Sequence, residues 1–198
     1  MFRFSSRTKV IIAFVALIAA GLAVVAFTRG AGAIPQDFTN ARLQGAVIAQ
    51  NIVNLSNQST ADLAKVSELD QKHDYTSALA LMANLVSKSQ DIRNQAVALS
   101  NQIGEMTKAL SSISDFGARQ AALESISSRL ALINQLINYS GDLGRLSDML
   151  RSRFTGTGGG QVEVQAIVNQ INTDVNAINN FNSQAGQAMD RFDTIVGK

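Results

Sequence analysis

One cluster of side chains in this 198-residue sequence has the residue types that catalysis or metal binding requires. Glu68, Asp70, His73 and Asp74 lie close together, and His73 is the only histidine in the chain. Carboxylate oxygens and an imidazole nitrogen bind a metal ion when they converge on one point. The cluster falls in a break between two helical patterns, where a solvated turn with Asp74 capping the next helix accounts for the same residues. We therefore predict no metal site and no cofactor.

Two other kinds of chemistry need residues that the sequence does not supply. There is no cysteine, and a Ser-His-Asp triad would require His73 to be buried in a cleft, although it lies in a predicted loop. The glycine-rich run 156–160 lacks the Gly-Lys-Ser/Thr ending of a phosphate-binding loop. We therefore predict no catalytic, cofactor-binding or metal-binding residues, and a protein that is not an enzyme.

Apolar residues after Phe38 recur with the period of a helix, and the pattern breaks at residues 71–74, 114–115 and 156–160. The breaks separate four segments of similar length. In the second segment, apolar or small residues alternate at spacings of four and three, which is the heptad seam of helices that pack side by side. Its members are Ala78, Met82, Leu85, Ser89, Ile92, Ala96, Leu99, Ile103, Met106, Leu110 and Ile113.

The other segments carry less regular seams. The first has Gly45 and Ser59 at positions where apolar residues are expected. The third segment has a seam that shifts at residues 140–144, and such a shift is a stutter in the heptad pattern. Its members are Leu123, Ile126, Leu130, Ile133 and Ile137, followed by Leu143, Leu146 and Leu150. The fourth seam consists of Val164, Val168, Ile171, Val175, Ile178, Asn182, Ala185, Met189, Phe192 and Val196.

Helix-start signals agree with the breaks. Asp74 and Asp115 are suited to cap the second and third helices, and Glu163 suits the first turn of the fourth. The predicted helices cover residues 37–71, 74–112, 115–154 and 161–196. Four amphipathic helices joined by short loops predict an all-α fold, in which an antiparallel up-down four-helix bundle has coiled-coil-like seams.

The first thirty residues predict a membrane anchor. Residues 10–27 are an unbroken apolar run of about 27 Å as a helix, close to the thickness of a bilayer core. Basic residues precede this run, so its N-terminal side is expected in the cytoplasm. We predict a cytoplasmic basic tail at 1–9, a transmembrane signal-anchor helix at 10–28, a neck at 29–36 and an extracytoplasmic bundle at 37–198.

A cleaved signal peptide is the alternative interpretation of the same segment. Ala31, Gly32 and Ala33 form an A-x-A pattern at a suitable distance beyond the apolar run. The run is longer than the usual apolar region of a signal peptide, and Arg29 places a charge just before the cleavage site. Both interpretations place the bundle outside the cytoplasm, in the periplasm or the extracellular space.

Charge argues against a nucleic-acid partner. The four basic residues of the first thirty positions account for the excess of base, since thirteen basic and fifteen acidic residues remain beyond them. No cluster of lysine or arginine occurs after residue 30, so we expect no DNA or RNA binding.

The layout resembles the four-helix sensing domains of bacterial chemoreceptors and histidine kinases, and also long-helix envelope proteins of the LemA type. No motif of these families is present, so we assign no family. The receptors continue into a second span, whereas this sequence ends at Lys198. A sensor role is therefore expected to need a partner membrane protein.

Function is predicted from this layout alone. We expect a non-enzymatic interaction or structural role in the cell envelope. Residues 10–28 would attach the protein to the membrane. The helical faces would bind a protein partner or a second copy of the chain. The alternative is a sensor-accessory or solute-binding bundle with a polar pocket at Gly45, Ser59 and residues 140–144. A further alternative is the same bundle secreted after cleavage near Ala33.

Overall fold

The computed structural model describes residues 34–158 and 160–197, and within them the fold is all-α. The four helices are α1 (Gln36–Gln71), α2 (Tyr75–Ala109), α3 (Phe116–Phe154) and α4 (Gln161–Val196), with a short 3-10 turn at Leu110–Ser112.

The predicted basic tail at 1–9 and transmembrane helix at 10–28 lie outside the described residues, as does most of the predicted neck. In the described part of the chain, no helix is long and apolar enough to cross a membrane. The anchor stays a prediction from the sequence.

The helix starts use the predicted capping residues. The Asp74 carboxylate accepts hydrogen bonds from the backbone N–H of Ser77 at 3.1 Å and from its hydroxyl at 2.7 Å, and these bonds lower the pKa of Asp74. Asp115 accepts from the N–H of Ala118 at 2.7 Å. Each contact satisfies an N–H group that the first helical turn leaves without a partner. The capping predictions for both aspartates are confirmed.

Contacts between α1 and α2 show that the two helices run antiparallel. Gly45 of α1 faces Leu99 of α2, and farther along α1 the Asp62 carboxylate accepts a hydrogen bond from the Lys88 ammonium at 2.6 Å. Sequence numbers thus rise along one helix as they fall along the other. The same opposition relates α3 and α4, since the Ser125 hydroxyl donates to the Ala185 carbonyl at 3.0 Å and, farther along α3, Asp142 lies near Asp174.

The first and last helices close the bundle. The rings of Phe38 on α1 and Phe192 on α4 are both fully buried, with centroids 5.2 Å apart. Beside them, the Arg42 guanidinium donates two hydrogen bonds of 2.7 Å to the two carboxylate oxygens of Asp193. This bidentate pair and the two rings form a clasp at the end of the bundle that contains residue 34. The arrangement is an up-down four-helix bundle.

The core of α2 confirms the sequence prediction at every position of its seam, since all eleven predicted members are buried. The prediction for α3 is partly wrong. Leu123 is 53% exposed and Leu130 is 44% exposed, although Ile126 and Ile133 are buried. The helix is therefore rotated relative to the predicted seam.

The seam that α3 turns inward runs without a stutter, so the predicted shift at residues 140–144 is wrong. Spacings of four and three continue from one end of the helix to the other. Its members are Ala118, Ala122, Ser125, Arg129, Leu132, Leu136, Tyr139, Leu143, Leu146 and Leu150. This stripe is favoured because it buries the apolar surface of eight residues along the whole helix. The predicted stripe would have required a change of face midway along α3.

The caps can be tested at Asp115. We expect Asp115→Ala to lower the free energy of unfolding by about 1 kcal/mol, because the N–H of Ala118 loses its acceptor. Chemical denaturation measures the change. Asp91→Ala is the matched control, since Asp91 is exposed in the interior of α2 and caps no helix. An equal loss in both variants would contradict the capping role.

Candidate functional site

The structure disperses the cluster around His73. Glu68 pairs with a lysine of its own helix, and Asp70 pairs with an arginine of α3 at 3.5 Å. Asp74 caps α2, while His73 is exposed with its Nδ1 atom 3.0 Å from the hydroxyl of the tyrosine that begins α2. The donor atoms thus have separate partners. Among the described residues, no group of three or more histidine, aspartate or glutamate side chains is arranged to hold a metal ion.

Two polar residues occupy the inward seam of α3. Ser125 is fully buried, and its hydroxyl donates to the backbone carbonyl of Ala185 on α4 at 3.0 Å. One turn later, the Nε–H of Arg129 donates to the Ser125 hydroxyl oxygen at 3.3 Å. This chain of hydrogen bonds links the Arg129 side chain through Ser125 to α4.

The charge of Arg129 has no carboxylate partner among the described residues. Burial, together with the nearby positive charge of Arg42, lowers the pKa of its guanidinium to about 10. Arg42 is itself bound by both carboxylate oxygens of Asp193. An arginine with a pKa of about 10 stays charged at neutral pH, so a cation lies in the bundle without a neutralising group.

Arg129 lines a cavity at the centre of the bundle, with a volume of about 30 Å³. All four helices contribute to its wall, which is mostly aliphatic. The wall consists of Ala49, Ile52, Val53, Ser56, Leu99, Arg129, Leu132, Leu136, Tyr139, Val175, Ile178 and Asn182. The cavity therefore has one positive charge beside a mostly apolar wall. Small-molecule sites use this combination, in which a few polar groups fix the orientation of the ligand.

Tyr139 contributes a neutral polar group to this wall. Burial raises the pKa of its phenol to about 12, and a hydrogen bond with the Ser56 hydroxyl opposes that shift. The phenol therefore stays protonated over the ordinary pH range. Within the described part of the chain, no acidic side chain lines the cavity. Arg129 sets its charge.

The predicted pocket positions, Gly45, Ser59 and residues 140–144, do not line this cavity. A Cβ added to Gly45 would lie at an ordinary contact distance of 3.5 Å from Leu99. Ser59 is fully buried and donates to the carbonyl one turn earlier at 2.8 Å, as Ser140 does in α3. A polar pocket at these interruptions stays a prediction.

A pair of carboxyl groups lies between α3 and α4. Asp174 is 2% exposed, its Oδ1 atom accepts from the Gln170 amide at 3.0 Å, and its Oδ2 atom has no hydrogen-bond partner. Burial raises the pKa of Asp174; the Gln170 hydrogen bond opposes this, and Asp142, which lies within hydrogen-bond reach, raises it further. Asp142 in turn accepts from Arg145 at 3.2 Å. A proton on Asp174 donated to Asp142 would satisfy the unpartnered oxygen.

Rotation of α3 also leaves apolar side chains on its outer face. Phe116 is 71% exposed, and Leu123 and Leu130 follow it at intervals of seven residues. We call these three residues the outer stripe. Seven-residue spacing keeps them on one side of the helix, so they form a narrow apolar line that a second helix can contact.

Sequence reasoning missed Arg129 and the pair of Asp142 and Asp174. A usable signal for Arg129 was present, because an unbroken 3-4 spacing runs through it from Ala122 to Leu150. Following the most apolar residues instead of the longest regular spacing led to the wrong face. For the two aspartates the sequence gives no signal, since they are 32 positions apart and meet only when α3 and α4 pack.

The chain resembles no known protein closely enough to take a role from it. No family model, curated protein or solved structure matches it. A role for this chain therefore has to come from its own contacts, burial and charge.

Asp174 gives a test of the carboxyl pair. Its pKa in the folded state is raised, so its stabilising contribution is full below the ordinary pKa of aspartate and is lost as the pH rises through the raised value. We expect Asp174→Asn to remove this pH dependence and to raise the free energy of unfolding at neutral pH by about 1–3 kcal/mol, the usual cost of an unsatisfied buried polar group.

Denaturant titrations at several pH values measure this effect. Asp190→Asn is the matched control, because Asp190 is exposed on the same helix. A variant at position 174 that loses stability at neutral pH would show that the ionised carboxylate is favourable in the fold, contrary to this expectation.

Proposed function

We propose that this protein is a non-enzymatic interaction protein of the cell envelope. In this proposal, residues 10–28 anchor the chain in the membrane as a single span, the N-terminus lies in the cytoplasm and the bundle lies outside. The outer stripe of α3 is the contact surface, and the simplest partner is α3 of a second copy.

The observation that supports this role is the presence of apolar side chains on the exposed face of α3. The helix buries Ser125 and half-buries Arg129, while Leu123 and Leu130 are exposed. Exposed apolar residues in a regular line are unfavourable for an isolated chain and are typical of an interaction surface. A heptad line suits a partner that is itself a helix.

The position of the outer stripe fits a pair of anchored copies. Helices α1 and α3 run parallel, since Arg42 lies near Arg129 at one end and Asp70 pairs with Arg153 at the other. Phe116 is therefore at the same end as residue 34, next to the proposed anchor. Two copies held in one membrane would present their outer stripes side by side and in the same direction, which permits a two-fold symmetric contact.

The absence of cysteine from the sequence makes cross-linking a direct test. We expect Leu123→Cys and Leu130→Cys to give disulfide-linked dimers of the full-length protein under mild oxidation, because identical residues of two parallel stripes face each other. Non-reducing electrophoresis of membranes measures the dimer fraction.

Val97→Cys is the matched control for cross-linking. Val97 is 52% exposed, as Leu123 is, but it lies on α2. Equal dimer formation at positions 97 and 123 would indicate random collision and would contradict the proposed surface. A lack of dimers at both stripe positions, together with no co-purifying partner in mild detergent, would reject the interaction role.

The anchor is tested separately. We expect the mature protein to begin at or near Met1 and to sediment with membranes until detergent is added, because residues 10–28 remain in the bilayer. N-terminal sequencing and membrane fractionation measure both properties. A mature N-terminus just after Ala33 in the soluble fraction would instead establish the secreted form.

A further inference from the structure

We propose that the central cavity binds a small aliphatic monocarboxylate of about the size of acetate, with Arg129 holding the carboxylate. This site is distinct from the outer stripe and goes beyond the interaction role. No sequence motif indicates a ligand for this part of the bundle.

The guanidinium of Arg129 is arranged to receive a carboxylate. Its Nε–H is engaged by Ser125, whose hydroxyl is fixed in turn by the carbonyl of Ala185. The two terminal nitrogens donate no hydrogen bond to a described residue. Terminal guanidinium N–H groups in one plane match the two oxygens of a carboxylate, and charge makes both bonds stronger than neutral ones.

A neutralising group from outside the chain is favoured by the surroundings of Arg129. The Arg129 side chain is half-buried and has no carboxylate partner among the described residues, which is unfavourable for its charge, and the positive charge of Arg42 nearby adds repulsion. The carboxylate of Asp193, which binds Arg42, already accepts two hydrogen bonds from that arginine. Water in the cavity can hydrate Arg129 but cannot neutralise it, whereas an anion does both.

The walls and the volume define the rest of the ligand. Aliphatic side chains such as Ile52, Leu136 and Val175 would surround an alkyl group. A cavity of about 30 Å³ has room for about two water molecules. Acetate extends little beyond that size, so longer acids would have to displace wall residues.

Charge balance favours a monocarboxylate over phosphate or sulfate. Arg129 is the single cation in the wall, and the other polar members, Ser56, Tyr139 and Asn182, are neutral. A dianion would keep one uncompensated charge in an apolar chamber. Chloride would neutralise the charge of Arg129. It has no second acceptor atom for the guanidinium, however, and no alkyl group to contact the aliphatic walls.

The experiment is isothermal titration of the full-length protein in detergent micelles with sodium acetate, compared with sodium chloride and sodium butyrate at equal ionic strength. We expect saturable acetate binding, weaker binding of the other two anions, and a rise in Tm with acetate. Arg129→Leu should weaken acetate binding by at least about tenfold, because two charge-assisted hydrogen bonds are lost. Arg93→Leu, which removes an exposed arginine of α2, should leave binding within about twofold of the parent, as expected for a distant surface charge.

A second variant keeps Arg129 and removes the space. Ala49 is buried in the cavity wall, so Ala49→Val should also weaken acetate binding while preserving helical content by circular dichroism. Acetate that binds no better than chloride, or that binds Arg129→Leu as well as the parent, would overturn the proposal. Should Arg129→Leu fail to fold, the comparison of acetate with chloride in the parent and in Ala49→Val decides the question.

Discussion

The structure depends on one packing arrangement, the face that α3 turns toward its neighbours. The stripe with the longest regular 3-4 spacing runs from Ala118 to Leu150, and it carries Ser125 and Arg129 into the bundle. The half-buried Arg129 cation, the cavity beside it and the exposed Leu123 and Leu130 all accompany that orientation of α3. Polar atoms inside and apolar side chains outside are thus two results of one rotation, which is why both proposed activities involve the same helix.

The sequence predicted the parts of the fold where local signals and packing agree. Helix α2 has a small or apolar residue at every seam position and an aspartate at its start, so its face and its beginning were both predictable. In α3 the two signals disagree, because the most apolar stripe is interrupted and the longest stripe contains Arg129. Hydrophobicity alone does not decide between them; the outcome depends on how the whole helix packs against α2 and α4. The cavity and the carboxyl pair come from residues far apart in sequence, so no local pattern indicates them.

Small residues have an effect on this bundle that sequence patterns leave ambiguous. Gly45 and Gly144 lie opposite Leu99 and Ser89 of α2, at distances that a methyl group would just fill. A gap in a heptad seam indicates either a space or a close approach of the helices. The central cavity lies at the level of Arg129, a large polar side chain among mostly aliphatic ones. Charge inside the seam, rather than a missing side chain, therefore marks the cavity.

The clasp between the first and last helices has a consequence for the order in which the bundle assembles. Arg42 and Asp193 are separated by 151 positions, whereas α1 and α2, α2 and α3, and α3 and α4 are joined by short turns. Hairpins of neighbouring helices close small loops, so they form early, while the clasp has to await nearly the whole chain. Until α4 arrives, the aromatic ring of Phe38 and one side of α1 stay open to solvent. On a growing chain, the edge of the bundle at α1 is therefore the last to be sealed.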